Sequence, residues 1–248
     1  MKASAMVKAL MVVGILSGSA SPAAPDAKGE VEQALLKLTE AENFSWVAMT
    51  IEETDGKDPK LTDTVEGKSV KGGWGRLSRP KTKSTTDAFL RGDRLALMTP
   101  QGWKAVDAKE IAPGAAKPAK ELRPAQDLLH AKAPLAEAKV LLGRLQEVER
   151  RENGLYSGRL APLNVPIILE RAAAAGHKIP AFEEPQVRVN FRIIEGLLAS
   201  YELVVSGRNA KPKKGQGAGS LISMAVDFTD VGTTTLEVPD EARKLLEY

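Results

Sequence analysis

The spacing of apolar side chains changes period several times along this 248-residue chain. Val31, Ala34, Leu35 and Leu38 recur every three or four positions, which places them on one side of a helix. In FSWVAMTIEE the period becomes two, and the alternation predicts a strand with Val47, Met49 and Ile51 on its inward face. The next stretch, TVEGKSVKGGWGRLSRP, is interrupted by Gly67, Gly72, Gly73 and Gly75 and stopped by Pro80. That composition predicts a bent or bulged edge strand.

TTDAFLRGDRLALMTPQGWKAVD reads as successive hairpins. A two-residue turn at Gly92-Asp93 sets Leu90 opposite Leu95 and Ala88 opposite Leu97, gathering the aliphatic side chains on one face. Thr99-Pro-Gln-Gly102 has Pro and Gly where a type I turn wants them, and Trp103 begins the following strand. From about Glu121 to Glu152 the period is helical again. Leu135, Ala138, Leu141, Leu142, Leu145 and Val148 form the apolar stripe, and Pro134 stands in the first turn. A further helix is predicted over Val165 to Ala175, ended by Gly176.

In PQVRVNFRIIEGLLASYELVVSG, a three-residue loop Ile194-Glu195-Gly196 makes a hairpin that pairs Val187 with Leu203, Val189 with Tyr201, Phe191 with Ala199 and Ile193 with Leu197. The same register sets Arg188 against Glu202 and Asn190 against Ser200 on the other face. After the linker GRNAKPKKGQGAGS, a last strand carries Ile222, Met224, Val226 and Phe228 on one face. It stops at Thr-Asp-Val-Gly and is followed by a short edge segment Val-Pro-Asp and a terminal helix with Asp240 as its cap. Hairpins with interspersed helices predict an α+β fold, an antiparallel sheet with helices against one face.

The first residues change the reading of charge. Lys2 and Lys8 precede an apolar run from Ala9 to Leu16, then small residues at Ala20, Ala23 and Ala24. That is the plan of a secretory signal peptide cleaved at about residues 20–24, so the protein is expected to be exported to the periplasm or the extracellular space. Subtracting the two leader lysines from 35 basic side chains leaves 33 against 32 acids, which gives no nucleic-acid footprint. Cysteine is absent, so a packed core must supply the stability. His130 and His177 are the only histidines, and no metal or cofactor is expected.

Several short strings mimic catalytic or binding motifs. Gly67-Lys68-Ser69 resembles the end of a phosphate-binding loop, but position 62 is Thr and the context is a strand. Ser78-Arg79-Pro80-Lys81 has the spelling of a penicillin-recognising motif, yet that motif opens a helix and its companion motifs are missing. Arg91-Gly92-Asp93 is a hairpin tip. Glu52-Glu53 and Glu183-Glu184 are adjacent in extended chain and point to opposite faces. Nothing accompanies the histidines in a nucleophile-base arrangement, and no enzyme is expected. The loop with Arg208, Lys211, Lys213 and Lys214 reads first as a solvated hairpin loop and second as a contact for anionic head groups. Trp46, Trp74 and Trp103 suit core or rim packing before a lipid or sugar site.

FRIIEGLLASYELVVSG, AVDFTDVGTTTLEVPDEA and FLRGDRLALMTPQGWKAV together resemble the paired strands, closing segment and central hairpin of the LolA-like superfamily of periplasmic lipoprotein carriers and lipid-binding lipoproteins. The resemblance implies a curved antiparallel sheet forming an incomplete barrel, with helices covering the concave face. It also implies one domain over residues 25–248 with a helical insertion at about 109–180. The chain lacks the lipid-bearing cysteine of the family's mycobacterial-type members, and it departs from the family in its longer insertion and its few aromatic residues. The implied function is that of an exported, non-enzymatic protein binding a lipid or a lipoprotein acyl chain, with a lipid or an acylated protein as partner and peripheral membrane contact. The ligand face would be Val47, Met49, Ile51, Leu90, Leu95, Leu97, Val189, Phe191, Tyr201, Leu203, Val226 and Phe228. The alternative is a structural or protein-interaction module of the cell envelope whose core is filled.

Overall fold

The computed structural model describes residues 26–54, 57–80, 85–107, 133–174, 181–210 and 219–247, with positions 122, 125, 128 and 179. The leader, both histidines, Gly176 and the loop lysines lie outside the described residues, as does Lys81.

The chain enters through helix α1 (Ala27–Glu40), where the Asp26 side chain accepts a hydrogen bond from the Gly29 N–H at 2.7 Å. That cap satisfies one of the donors left free at a helix start. Val31, Ala34, Leu35 and Leu38 are buried, as their spacing predicts. Strands β1 (Asn43–Thr54), β2 (Lys60–Val70), β3 (Trp74–Pro80), β4 (Thr85–Arg91), β5 (Arg94–Thr99) and β6 (Gly102–Asp107) follow as a meander. Helix α2 (Pro134–Arg144), β7 (Leu145–Arg150), β8 (Leu155–Leu160) and helix α3 (Val165–Ala174) come next. The chain then forms β9 (Phe182–Ile194), β10 (Leu197–Asn209), β11 (Gly219–Thr229) and helix α4 (Asp240–Glu247).

These strands make one antiparallel sheet in the order β6-β5-β4-β3-β2-β1-β11-β10-β9-β8-β7. Its ends, β6 and β7, are not joined, so the fold is α+β with an incomplete barrel. β1 is central, hydrogen-bonded to β2 on one side and β11 on the other.

The two faces of the sheet carry separate cores. Helices α1, α2 and α3 share the large inner cluster with Trp46, Val65, Leu77, Ala88, Leu95, Leu97, Val189, Phe191, Tyr201, Leu203, Val226 and Phe228. On the outer face α4 lies against β4, β5 and β6. There Phe89, Ala96, Ala242 and Leu246 form a second, smaller cluster with Trp74 and Trp103 at its margin. Among the described residues, α4 thus sits on the face opposite α1, α2 and α3.

Several local readings are corrected. Val47, Met49 and Ile51 do not face inward. The buried positions of β1 are Phe44, Trp46 and Thr50, so its parity is the reverse of that read from the sequence. The glycine-rich stretch is not an edge strand but the hairpin β2–β3 in the sheet interior. Gly72 (φ 88°) and Gly73 (φ 79°) supply its turn. Leu145 and Val148 belong to a strand, not to the preceding helix, so the segment read as a helical insertion contains the β7–β8 hairpin. Leu145 pairs with Leu160 and Val148 with Gly158, so one extra residue bulges out of β7. A bulge of this kind sets two same-face residues three apart, which is also a helical spacing.

The β9–β10 hairpin turns on Glu195-Gly196 alone, with Ile194 paired to Leu197. The odd residue sits instead at a bulge at Ala199. Beyond it Phe191 pairs with Tyr201, Val189 with Leu203, and Asn190, rather than Arg188, with Glu202. The register is displaced by two residues, which preserves the inward face. The Gly92-Asp93 hairpin pairs Leu90 with Leu95 and Ala88 with Leu97, as predicted. Val-Pro-Asp makes no ladder, and Asp240 is the first residue of α4 rather than its cap. The segment after β11 is held by side chains: Asn43 Oδ1 accepts from the Thr234 N–H at 2.7 Å, and the Ser45 and Thr234 hydroxyls share a hydrogen bond at 2.9 Å.

Candidate functional site

A groove of about 1230 Å³ opens between the second half of α1, the start of α2 and the β2–β3 turn. Its floor is the inner face of the first strands: Phe44, Trp46, Leu77 and Leu90. Leu35, Leu36, Leu135 and Leu142 form the helical wall, and Val70 with the backbone of Gly72 to Gly75 forms the opposite rim. Burial grades from floor to mouth, from Trp46 at 2% exposed to Leu36 at 57%. Leu36 stands at the lip of the groove, where a molecule seated in it would cover the side chain.

The floor has a definite construction. Trp46 pairs with Gly67 across β1 and β2, and Gly67 pairs in turn with Leu77 of β3. A Cβ on residue 67 would stand 2.0 Å from Trp46 Cε2, so the indole lies across the backbone where a side chain would otherwise project. The glycine read as a strand bend is therefore the seat of the tryptophan.

Two tyrosines tie the inner helices to the sheet beside the groove. Tyr201 of β10 donates its hydroxyl to Glu137 of α2 at 3.0 Å, and Tyr156 of β8 donates to Glu30 of α1. Burial pushes the Tyr201 hydroxyl well above the usual tyrosine range, reinforced by the Glu137 charge and its hydrogen bond. Burial also raises Tyr156, helped by the hydrogen bond and charge of Glu30 and opposed by Arg150, whose guanidinium lies 6.0 Å from the ring centroid. At the mouth Lys71 donates to Glu42 at 2.7 Å. That hydrogen bond, then the charge attraction, lowers the Glu42 carboxyl and raises the Lys71 amine.

Of the residues read from the sequence as a ligand face, Leu90 lines this groove. Leu95, Leu97, Val189, Phe191, Tyr201, Leu203, Val226 and Phe228 are buried in the packed inner core, and Val47, Met49 and Ile51 are on the outer face. Sequence reasoning missed Phe44 and Leu77 and ranked a lipid or sugar site for Trp46 below core or rim packing. The signal available for Trp46 was Gly67, the small residue that its strand partner supplies. Trp74 reaches the groove rim, with Arg91 stacked 5.0 Å from its ring centroid. Trp103 packs on the outer face against Phe89, ring centroids 5.4 Å apart. Among the described residues no cluster of His, Cys, Asp and Glu could hold a metal ion, and no helix is long and apolar enough to cross a membrane.

No protein-family model matches the sequence, and no curated protein matches it significantly. Among solved structures the chain is similar to the Mycobacterium tuberculosis lipoprotein LppX, with 10% identity, a TM-score of 0.43, and coverage of 85% of this chain and 97% of that one. It is similar to LprF from Mycobacterium bovis at 11% identity and a TM-score of 0.42, covering 88% and 97%. A LolA superfamily protein from Nitrosomonas europaea follows at 10% identity and a TM-score of 0.32, covering 88% and 97%.

Proposed function

We propose that the protein binds an apolar or amphiphilic molecule, such as a lipid or the acyl chain of a lipoprotein, in the groove between α1, α2 and the β1–β3 floor, and acts as a carrier rather than an enzyme. The observation that carries this reading is the groove itself: about 1230 Å³, floored by Phe44, Trp46, Leu77 and Leu90, with Leu36 exposed at its lip. That volume exceeds the ~300–1,000 Å³ typical of small-molecule pockets, which suits a long chain more than a compact metabolite. Driving force would come from burying methylene groups, about 0.8 kcal/mol each. The Lys71–Glu42 pair at the mouth offers a polar group to orient a head. Export through the N-terminal leader is part of the same proposal.

The competing reading, a filled interaction module, draws support from the other half of the sheet, where Val189, Phe191, Tyr201 and Leu203 are at most 2% exposed. The two readings concern different halves of the inner face. Mass spectrometry of an organic extract of protein purified without detergent separates them. A reproducible stoichiometric lipid supports the carrier, and an empty protein that also fails to take up a fluorescent fatty acid supports the module.

A further inference from the structure

The outer face at the β7–β9 edge bears a second concavity, of about 1320 Å³ and opposite in character to the inner groove. Arg159 of β8 and Arg188 of β9 are directly paired across the strands, and Arg192 lies farther along the same face of β9, opposite Leu155. All three are exposed. None of them has a salt bridge or a side-chain hydrogen bond to the described residues. Nearby cations are engaged differently: Arg151 pairs with Glu149, and Arg150 with Glu30.

Two like charges directly opposite on an antiparallel pair destabilise a sheet. Here they are retained without a bridging carboxylate. Glu147, Glu149 and Glu152 line the same concavity, with Glu149 held by Arg151, and none of the three forms a salt bridge to Arg159, Arg188 or Arg192. Glu202, two residues along β10 from the partner of Arg188, accepts from Asn190 at 2.9 Å and from Ser223 at 2.6 Å, within a chain that begins at Ser157. This chain holds Asn190 between Arg188 and Arg192 and stiffens the floor of the concavity. Four residues of strand separate Arg188 from Arg192, about 13 Å at ~3.3 Å per residue.

We propose that this concavity is a binding site for phosphorylated molecules, with the Arg159–Arg188 pair taking one phosphate and Arg192 a second. Guanidinium forks match phosphate oxygens two bonds at a time, and a bound dianion turns the repulsion between paired arginines into a shared attraction. The phosphates can belong to a lipid headgroup in a membrane or to a free molecule. The site is independent of the inner groove, since it lies on the opposite face of the sheet.

The test uses the full chain, with inositol hexakisphosphate as the free probe and vesicles of phosphatidylglycerol in phosphatidylcholine as the membrane probe. Wild type should bind at least one of them at about 50 mM salt and weaken as salt rises toward about 300 mM. The Arg159→Gln/Arg188→Gln double variant should lose about tenfold or more in affinity. Without any anion it should melt at a higher temperature than wild type, because the like-charge pair is gone. Arg192→Gln alone should weaken binding without that gain. Binding of the free probe alone assigns a free ligand, and vesicle binding assigns a headgroup. Failure of both probes with wild type overturns the proposal. So does undiminished binding by the double variant, including the case where Lys211→Gln/Lys213→Gln/Lys214→Gln abolishes binding instead.

Discussion

The indole of Trp46 occupies the space above Gly67 that a side chain would fill, with Cε2 2.0 Å from the position of a Cβ. Gly67→Ala should therefore be destabilising although alanine suits a strand no worse than glycine does. The added methyl must push the ring into the groove or the strands apart, at a cost of about 1–3 kcal/mol. Denaturant unfolding should show the loss, and the tryptophan emission should shift as the ring leaves its buried seat.

Phe191, 1% exposed and paired with Tyr201, belongs to the filled part of the inner face. Phe191→Ala should cost about 3–5 kcal/mol, as truncation in a packed core does. Affinity for a fluorescent fatty acid, measured well below the melting temperature, should stay within a factor of about two, because the side chain does not line the groove. Leu36→Ser should show the reverse: stability within about 0.5 kcal/mol of wild type, as for an exposed position, and weaker fatty-acid binding.

How much the sequence disclosed depended on whether a strand kept strict alternation. The Gly92-Asp93 hairpin has no bulge, and its pairs were readable directly. In β7 the bulge gives Leu145 and Val148 a helical spacing, and the strand was read as helix. In β10 the bulge at Ala199 was absorbed into an overlong turn, which displaced the register but left Val189, Phe191, Tyr201 and Leu203 facing inward. β1 failed for another reason. As the central strand it has apolar residues on both faces, and Val47, Met49 and Ile51 compete with Phe44 and Trp46 for the inward side. Gly67, the strand partner of Trp46, favours the observed facing but lies 21 residues away in the chain. The groove depends on where α1 and α2 stand over the sheet, a relation with no local signature.

The Tyr201–Glu137 hydrogen bond predicts an alkaline limit to stability. Tyr201 holds its proton to higher pH in the folded protein than in the unfolded chain, whose tyrosines titrate near pH ~10. Its contribution is complete below about pH 10 and is lost as pH rises from there toward the folded value. Tyr201→Phe should cost about 1 kcal/mol at neutral pH and should flatten that alkaline decline. Urea unfolding midpoints of both proteins between neutral pH and about pH 11 check the sign.

The turn Glu195-Gly196 has both residues in the left-handed region, at φ 52° and 75°. Two-residue turns of this form favour Asn-Gly, because asparagine tolerates that conformation better than glutamate. Glu195→Asn should stabilise the protein by a few tenths to about 1 kcal/mol, visible as a higher denaturant midpoint at unchanged slope.

The groove's role as an acyl-chain site is tested most directly by contact quenching of Trp46. The chain has three tryptophans, so Trp74→Phe/Trp103→Phe leaves Trp46 as the sole emitter, buried at 2% exposure beneath the groove. Titration with a fatty acid brominated along its chain, beside the unbrominated one, reports whether the chain reaches that floor. Saturable quenching by the brominated acid alone, lost in competition with excess unbrominated acid, is the predicted result. A protein that binds neither acid, or that binds the brominated one with Trp46 emission unchanged, contradicts the assignment.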